Sequence, residues 1–154
     1  MKSRGADYVV DYNDQSAISE IKYLSGNDLK YVFDCFGAGD APGFCFDAFG
    51  RNGGHYSSLQ FPPACNRKDV KTSMVVAYTS FGKFFSKFGR DWPAQPENYE
   101  FGSKFFELAE ALLAEGKLKP HPVRIGKGGI EGIIGGLATL KAGNVSGEKL
   151  VFSI

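Results

Sequence analysis

Alternating strand-like and helix-like segments fill the first 60 residues of the chain. The apolar segments "DYVVD" (7–11), "LKYVFDCFG" (29–37) and "GGHYSSLQ" (53–60) are typical of strands, and helical spacing predicts helices over 14–26 and 40–50. Short units that alternate in this way favour a parallel sheet covered by helices. We therefore predict an α/β fold in which the strand at 29–37 is buried on both faces.

The remaining segments are less regular. "DVKTSMVVAYTSF" (69–81) is predicted as a strand because of its β-branched residues, and 84–98, with a Gly, two Pro and the only Trp, as a long loop or lid. We then predict an amphipathic helix over 98–118, an extended segment over 121–125, a Gly-loosened helix over 129–143 and a closing strand over 146–154. At the start, "KSRGA" is typical of the last turn of a helix that ends on Gly5.

Bulk composition excludes several classes of function. The 154 residues carry 18 basic and 17 acidic side chains, which creates no field for nucleic acid or an acidic membrane. No apolar run approaches the ~20 residues of a membrane span, and no signal-peptide pattern is present. Three cysteines without metal-ligand spacing indicate reduced thiols and a cytoplasmic protein. The 14 Phe residues indicate apolar surfaces that pack internally or face a partner or an apolar ligand.

A Gly-rich turn follows the strand at 29–37. "FGAGDAPG" does not match the dinucleotide fingerprint G-x-G-x-x-G, because Pro42 occupies the position of the third Gly. Ligands of open parallel sheets nevertheless bind beyond the carboxyl ends of the strands. We therefore expect "CFG" (35–37) and "SLQ" (58–60) to border a nucleotide site at that edge of the sheet.

Other catalytic chemistry has little support in the sequence. His55, His121 and Cys65 lack the spacing of a metal site, and there is no G-x-S-x-G motif for a nucleophilic serine. Structural or surface roles are expected for both histidines, and we expect the cysteines to be small core residues. The residues alone thus predict a soluble α/β domain with a ligand-binding edge, without naming a reaction.

Four segments together resemble one family. "SRGADYVVDYND", "LKYVFDCFG", "FCFDAFGRNGGHYSSL" and "GNVSGEKLVFSI" resemble zinc-independent medium-chain dehydrogenase/reductases, and most of all the fungal trans-acting enoyl reductases of the lovastatin-pathway type. The resemblance implies a partial Rossmann-like parallel sheet with helices on its faces. Residues 1–118 would form an incomplete dinucleotide-binding domain, and 119–154 a return segment of the catalytic domain. The rest of both domains would precede Met1, so a C-terminal part of a longer enzyme is expected.

The resemblance also implies a function and its residues. It implies an NADPH-dependent oxidoreductase that reduces α,β-unsaturated thioesters carried by a polyketide synthase, without zinc. Tyr12 would donate to the adenosine 2′-phosphate, Leu59 and Gln60 would lie against the nicotinamide, and Val145 and Ser146 would lie near its ribose. The stretch expected to bind the substrate comprises Ala77, Tyr78, Thr79, Ser80 and Phe81.

Two other readings stay open at this point. The chain could be a non-catalytic docking module that contacts a synthase through its Phe-rich surface, or a quinone- or alcohol-directed relative in the same superfamily. The resemblance implies that the Gly-rich turn that holds the diphosphate would precede Met1, so weak binding of NADPH by the isolated chain is expected.

Overall fold

A three-stranded parallel sheet forms the centre of the first part of the chain. The computed structural model describes residues 1–154, and its strands β1 (Tyr31–Asp34), β2 (Gly54–Ser58) and β3 (Val70–Met74) lie in the order β1-β2-β3. Tyr31 is paired with His55, and His55 with Lys71. The α/β fold with a parallel sheet is thus confirmed.

Helices α1 (Ala17–Leu24) and α2 (Ala41–Ala48) occupy two of the predicted helical segments. Helix α2 begins after Asp40 and carries Pro42 in its first turn, where the missing N–H of proline costs nothing. The aromatic rings of Phe46 and Tyr56 pack 4.8 Å apart, centroid to centroid. These two residues form the core with Phe49 and Val70.

One face of β1 is exposed, which corrects the prediction that this strand is buried on both sides. Val32 packs against the core cluster that includes Phe46 from α2, whereas Tyr31 is 80% exposed and Phe33 is also exposed. Successive residues of a strand point to opposite faces. The helix therefore covers the face of Val32 and leaves the face of Tyr31 and Phe33 open.

The prediction of a strand over 7–11 is wrong. These residues form no strand, and Tyr8 and Val9 are exposed. A strand is stabilised only when a neighbouring strand pairs with its backbone. In this sheet β1 pairs only with β2, so residues 7–11 have no strand partner. The turn before this segment is a 3₁₀ helix, Lys2–Arg4, that ends on the left-handed Gly5 as predicted.

A β-hairpin occupies part of the segment that was predicted to be a long loop or lid. Strand β3 ends at Met74, a 3₁₀ helix follows over Ala77–Phe81, and β4 (Phe85–Lys87) pairs antiparallel with β5 (Arg90–Trp92). Phe88 and Gly89 connect the two strands with φ values of 59° and 71°. Two left-handed residues match the twist of a tight hairpin, but phenylalanine is an unusual residue for the first position. The sequence pattern therefore gave no signal for this hairpin turn.

The chain divides into two compact units, Met1–Phe101 and Gly102–Ile154. The boundary between them falls within helix α3 (Pro96–Ala114). In the second unit, β6 (Val123–Gly126) and β7 (Lys149–Phe152) pair in parallel and are connected by α4 (Gly129–Lys141). The assignment of 1–118 and 119–154 to two domains stays a prediction. None of the helices has the length and apolar character that crossing a membrane requires.

Candidate cofactor and substrate site

The carboxyl ends of β1, β2 and β3 meet at one edge of the sheet, as parallel pairing requires. The backbone N–H of Leu59 donates to the carbonyl of Asp34 at 3.3 Å, and that of Val75 donates to the carbonyl of Ser58 at 2.8 Å. Segments 35–37 and 58–60 therefore leave the sheet side by side, at the place where ligands of such sheets bind.

The buried carboxylate of Asp34 organises this edge. Its Oδ1 accepts hydrogen bonds from the backbone N–H groups of Phe36 at 2.9 Å and Gly37 at 2.7 Å. Its Oδ2 accepts one from the hydroxyl of Tyr56 at 2.8 Å, and Tyr56 is itself fully buried. One side chain thus joins the turn after β1 to the adjacent strand β2.

The pKa values of the pair follow from this arrangement. Desolvation opposes ionisation of Asp34, but the hydrogen bonds from Gly37, Tyr56 and Phe36 together outweigh it and lower the pKa of the carboxyl. Desolvation, assisted by the hydrogen bond to Asp34, raises the pKa of Tyr56 to about 12. At neutral pH the pair is therefore a carboxylate that accepts from a neutral phenol, which suits a structural role.

Close packing connects the two turns at the sheet edge. Gly37 has a φ of 64°, and a Cβ atom placed on it would lie 2.8 Å from the Cβ of Gln60. That separation is shorter than real Cβ contacts, so a side chain at position 37 would displace Gln60. Glycine is needed here both for its backbone conformation and for the space beside Gln60.

A cavity of about 310 Å³ opens beside this contact, and we call it the Leu59 cavity. It is lined by Leu59, Gln60, Phe61, Met74, Val75, Val76, Ala77, Tyr78 and Phe88. Two of the residues predicted to contact the cofactor thus share one cavity with two of those predicted to bind the substrate. This juxtaposition is what a hydride transfer between two bound molecules would need.

The other three residues of the predicted substrate stretch do not line the cavity. The hydroxyl of Thr79 donates to the carbonyl of Val76 at 2.8 Å, and that of Ser80 donates to the carbonyl of Ala77 at 2.6 Å. The side chain of Phe81 is exposed. Both hydroxyls therefore stabilise the 3₁₀ helix, and a substrate role for Thr79, Ser80 and Phe81 stays a prediction.

Tyr12 lies at a second, larger cavity of about 640 Å³, which we call the Tyr12 cavity. It is lined by Tyr12, Asn13, Phe36, Ala38, Gly39, Asp40, Ala41, Phe44 and Cys45. The lining contains no Lys or Arg and one carboxylate, Asp40. It therefore fits a base or a ribose, whereas a 2′-phosphate would need cations that these residues do not supply.

Val145 and Ser146 belong to the second unit, in the segment between α4 and β7. Arg124 holds both sides of this segment: its guanidinium donates to the carbonyl of Asn144 at 3.1 Å and pairs with the carboxylate of Glu148 at 3.0 Å. Ser146 is exposed. The predicted contact of both residues with a nicotinamide ribose stays a prediction.

The histidines and cysteines take no part in either cavity, except for Cys45. His55 Nε2 lies 2.8 Å from the hydroxyl oxygen of Ser73, and no group of His, Cys, Asp and Glu residues could hold a metal ion. Cys45 and Cys65 pack against the core, but Cys35 is exposed, so the prediction of a core position is wrong for Cys35. Burial raises the pKa of the Cys45 thiol to about 11.

Sequence reasoning missed the Asp34–Tyr56 pair, which organises this edge of the sheet. A signal for Asp34 was present, since an aspartate followed closely by glycine in "FDCFG" is typical of a side chain that caps its own turn. Tyr56 had no such signal because its partner lies 22 residues away.

The fold and the cavities at the carboxyl edge of the sheet define the class of protein: an α/β protein with the fold of enoyl reductases. Two solved structures share it over 99% of this chain and 43% of their own: the CurF ER cyclopropanase of the curacin A biosynthetic pathway, with a TM-score of 0.66, and the JamJ enoyl reductase, with 0.64. Their identities to this chain, 17% and 14%, are too low to show more than the fold.

Sequence comparison identifies the relatives more narrowly, although no family model matches the chain. Trans-enoyl reductase ACTTS2 of Alternaria alternata is 38% identical over all of this chain and 44% of its own length. The enoyl reductase component lovC of the lovastatin nonaketide synthase of Aspergillus terreus is 39% identical over 97% of this chain and 42% of its own length. The dual trans-enoyl reductase/FAD-dependent monooxygenase tazHJ of Aspergillus terreus is 41% identical over 92% of this chain and 20% of its own length.

The resemblance seen in the motifs is thereby confirmed: the chain is a relative of the fungal trans-enoyl reductases. It spans less than half the length of the relatives it matches.

Proposed function

We propose that this chain is part of an NADPH-dependent trans-enoyl reductase that works with a polyketide synthase. The proposal depends on one observation above all: the Leu59 cavity joins residues expected at the cofactor, Leu59 and Gln60, to residues expected at the substrate, Ala77 and Tyr78. The names of its relatives, matched over 97–100% of the chain at 38–39% identity, support the reaction class.

A bound nicotinamide cofactor supplies the hydride that reduces a carbon–carbon double bond. The residues of this chain would bind the cofactor and orient its nicotinamide ring. Leu59 would offer an apolar surface to the flat ring, and the amide of Gln60, positioned by Gly37, would offer hydrogen bonds at its edge. Asp34 would act indirectly as a positioning residue, because it holds the turn on which Gly37 lies.

The coenzyme preference is the part of this proposal that depends on the resemblance. The Tyr12 cavity supplies a phenol and apolar surface for the adenosine, but its only charged residue is Asp40. The cations that select a 2′-phosphate would come from residues outside this cavity. Comparing NADPH with NADH in the same titration tests the preference directly.

Two matched leucines test the cofactor contact. Leu59 and Leu113 are exposed to nearly the same extent, 47% and 46%, but only Leu59 lines the cavity. We expect Leu59→Ser to weaken NADPH binding in calorimetry about fivefold, since it removes about 1 kcal/mol of apolar contact. The same substitution at Leu113 is expected to leave binding unchanged.

Catalysis is tested by NADPH oxidation with a crotonyl thioester, on this chain and on any longer product of its reading frame. Reduction of the thioester by either product supports the proposal. Failure of both products to bind a nicotinamide cofactor would exclude it. A quinone- or alcohol-directed activity would be revealed by replacing the thioester with those substrates.

A non-catalytic docking module is the second candidate, and exposed apolar residues on α3 favour it. Tyr99, Phe101, Phe105, Phe106, Leu108 and Leu113 are all exposed. This candidate predicts saturable binding to the synthase together with no detectable binding of NADPH in the calorimetric titration.

A further inference from the structure

Apart from Tyr56, the buried polar residues of the chain are Asp34 and Ser58, which are 5% and 0% exposed. The two are partners in the parallel register of β1 and β2, at the carboxyl end of both strands. Tyr56 joins them: desolvation and the hydrogen bond to Asp34 raise the pKa of Tyr56 to about 12, and a hydrogen bond with Ser58 acts in the opposite direction. Polar groups are costly to bury unless they are hydrogen-bonded, so the bonds of these two side chains indicate their roles.

Each of the two side chains holds the turn that follows its own strand. Asp34 accepts from the backbone N–H groups of Phe36 and Gly37, which fixes the turn after β1. The hydroxyl of Ser58 donates to the backbone carbonyl of Gln60 at 2.5 Å, which fixes the turn after β2. The buried polar residues at this edge are therefore used to shape the two turns that border the expected cofactor site.

Ser58 is placed to act through its neighbours. The sequence puts it in the segment 58–60 that borders the expected nucleotide site, but its side chain lies on the buried face of β2 together with Tyr56. Leu59 and Gln60 line the Leu59 cavity, and Ser58 does not. A direct contact between the Ser58 hydroxyl and a ligand in this cavity is thus excluded.

Gln60 is held from two sides. Ser58 fixes its carbonyl, and Gly37 packs against its side chain, since a Cβ at position 37 would lie 2.8 Å from the Cβ of Gln60. Because a peptide group is planar, a fixed carbonyl also fixes the N–H of the next residue, Phe61, which lines the same cavity. Loss of the Ser58 hydroxyl would leave the Gly37 contact in place and release the backbone of the turn.

We propose that Ser58 is a positioning residue for the nicotinamide end of the cofactor, because its buried hydroxyl fixes the turn from which Leu59 and Gln60 would contact the ring. This inference rests on the proposed function, which places the nicotinamide against those two residues. The turn contributes no residue to the Tyr12 cavity, the expected site of the adenosine. Ser58 should therefore affect binding of the nicotinamide half of the cofactor and leave the adenosine half unaffected.

Two nucleotides that differ only in the nicotinamide separate these halves. NADPH and 2′-phospho-ADP-ribose, which lacks that ring, are titrated in a calorimeter into this chain and into any longer product of its reading frame. We expect Ser58→Ala to weaken NADPH binding about three- to tenfold, as the loss of one buried hydrogen bond would give. Binding of 2′-phospho-ADP-ribose should stay within about twofold of wild type.

Two control variants separate positioning from stability. Ser57→Ala changes the adjacent serine of β2, whose side chain points to the opposite face of the sheet, and should alter neither affinity. Val70→Ala removes core packing where β3 begins beside Gly54, at the other end of the sheet. It should lower the midpoint of urea unfolding and leave the ratio of the two affinities unchanged.

Hydrogen exchange without any nucleotide measures the turn itself. The N–H of Leu59 donates to the carbonyl of Asp34 at the carboxyl edge, and that of His55 donates to the carbonyl of Lys30 at the opposite end of the sheet. We expect Ser58→Ala to accelerate exchange at Leu59 about threefold more than at His55, because the hydroxyl acts locally.

The outcomes distinguish a failure of this inference from a failure of the proposed function. Equal weakening of both nucleotides by Ser58→Ala, or unchanged binding of NADPH, would overturn this inference alone. Exchange that rises by the same factor at Leu59 and His55 would also overturn it, since the hydroxyl would then support only overall stability. Absence of nucleotide binding by every wild-type product would overturn the proposed function, and this inference with it.

Discussion

Removing one hydroxyl from Tyr56 should destabilise the chain measurably. The residue is fully buried, and its hydroxyl donates to Asp34 Oδ2 at 2.8 Å. Tyr56→Phe keeps the ring and its packing on Phe46, so the change isolates the hydrogen bond. It leaves one oxygen of a buried, ionised carboxylate without that partner.

The expected magnitude follows from the charge of the acceptor. Hydrogen bonds to charged groups contribute about 1.5–3 kcal/mol, and an unpaired buried acceptor costs a similar amount. We therefore expect the free energy of unfolding to fall by about 1.5–3 kcal/mol in urea titrations at neutral pH. Asp34→Asn should cost less, since its amide can still accept from the turn and donate to the phenol oxygen.

The pH dependence has a defined sign. The pKa of Asp34 is lowered from its ordinary value of 3.8, so its contribution is fully present above that value and is lost as the pH falls through the folded-state pKa. The difference between wild type and Tyr56→Phe should therefore narrow in acid. Tyr31→Phe, at an exposed tyrosine of the same sheet, is the control and should change stability by less than about 0.5 kcal/mol. Equal stability of Tyr56→Phe and wild type at neutral pH would refute the role assigned to the pair.

Two further predictions concern the same edge of the sheet. Gly37→Ala should destabilise the chain by more than about 1 kcal/mol and weaken cofactor binding, because the new Cβ meets Gln60 at 2.8 Å. Gly26→Ala, with a similar φ of 60° and nothing within 4 Å, should show the backbone strain alone. Urea titration and calorimetry would check both, and identical losses would contradict the contact argument. Cys35, which is exposed, should be alkylated by iodoacetamide well before Cys45, because burial raises the pKa of the Cys45 thiol to about 11 and keeps it protonated at neutral pH. Mass spectrometry of the labelled peptides would give the order of alkylation. Faster labelling of Cys45 would contradict the argument from burial.

Local features of the sequence predicted the elements that carry their own start and stop signals. Helix α2 begins after Asp40 with Pro42 in its first turn, and the amphipathic pattern of 98–118 lies largely within α3. Such signals are short-range, so they survive in any context. The edge bordered by 35–37 and 58–60 also followed from the sequence, because the carboxyl ends of parallel strands must meet.

The sequence-based predictions failed where the structure of a segment depends on pairing with another strand or on an uncommon backbone conformation. The composition of 7–11 suits a strand, yet no segment pairs with it, and a strand without hydrogen-bonded neighbours is not stable. The hairpin was overlooked because Phe88 adopts a left-handed conformation that its residue type disfavours.

Apart from residues 7–11 and the β4–β5 hairpin, this sequence determined by itself the order of its main helices and strands. It also indicated the edge of the sheet at which a ligand would bind, because both depend on periodicity and on residues a few positions apart. Only the tertiary structure brought Asp34 to Tyr56, and Lys87 to Tyr78 beside the Leu59 cavity. Those contacts join side chains from separate elements, so they depend on strand register and on the path of a turn, which no local pattern encodes.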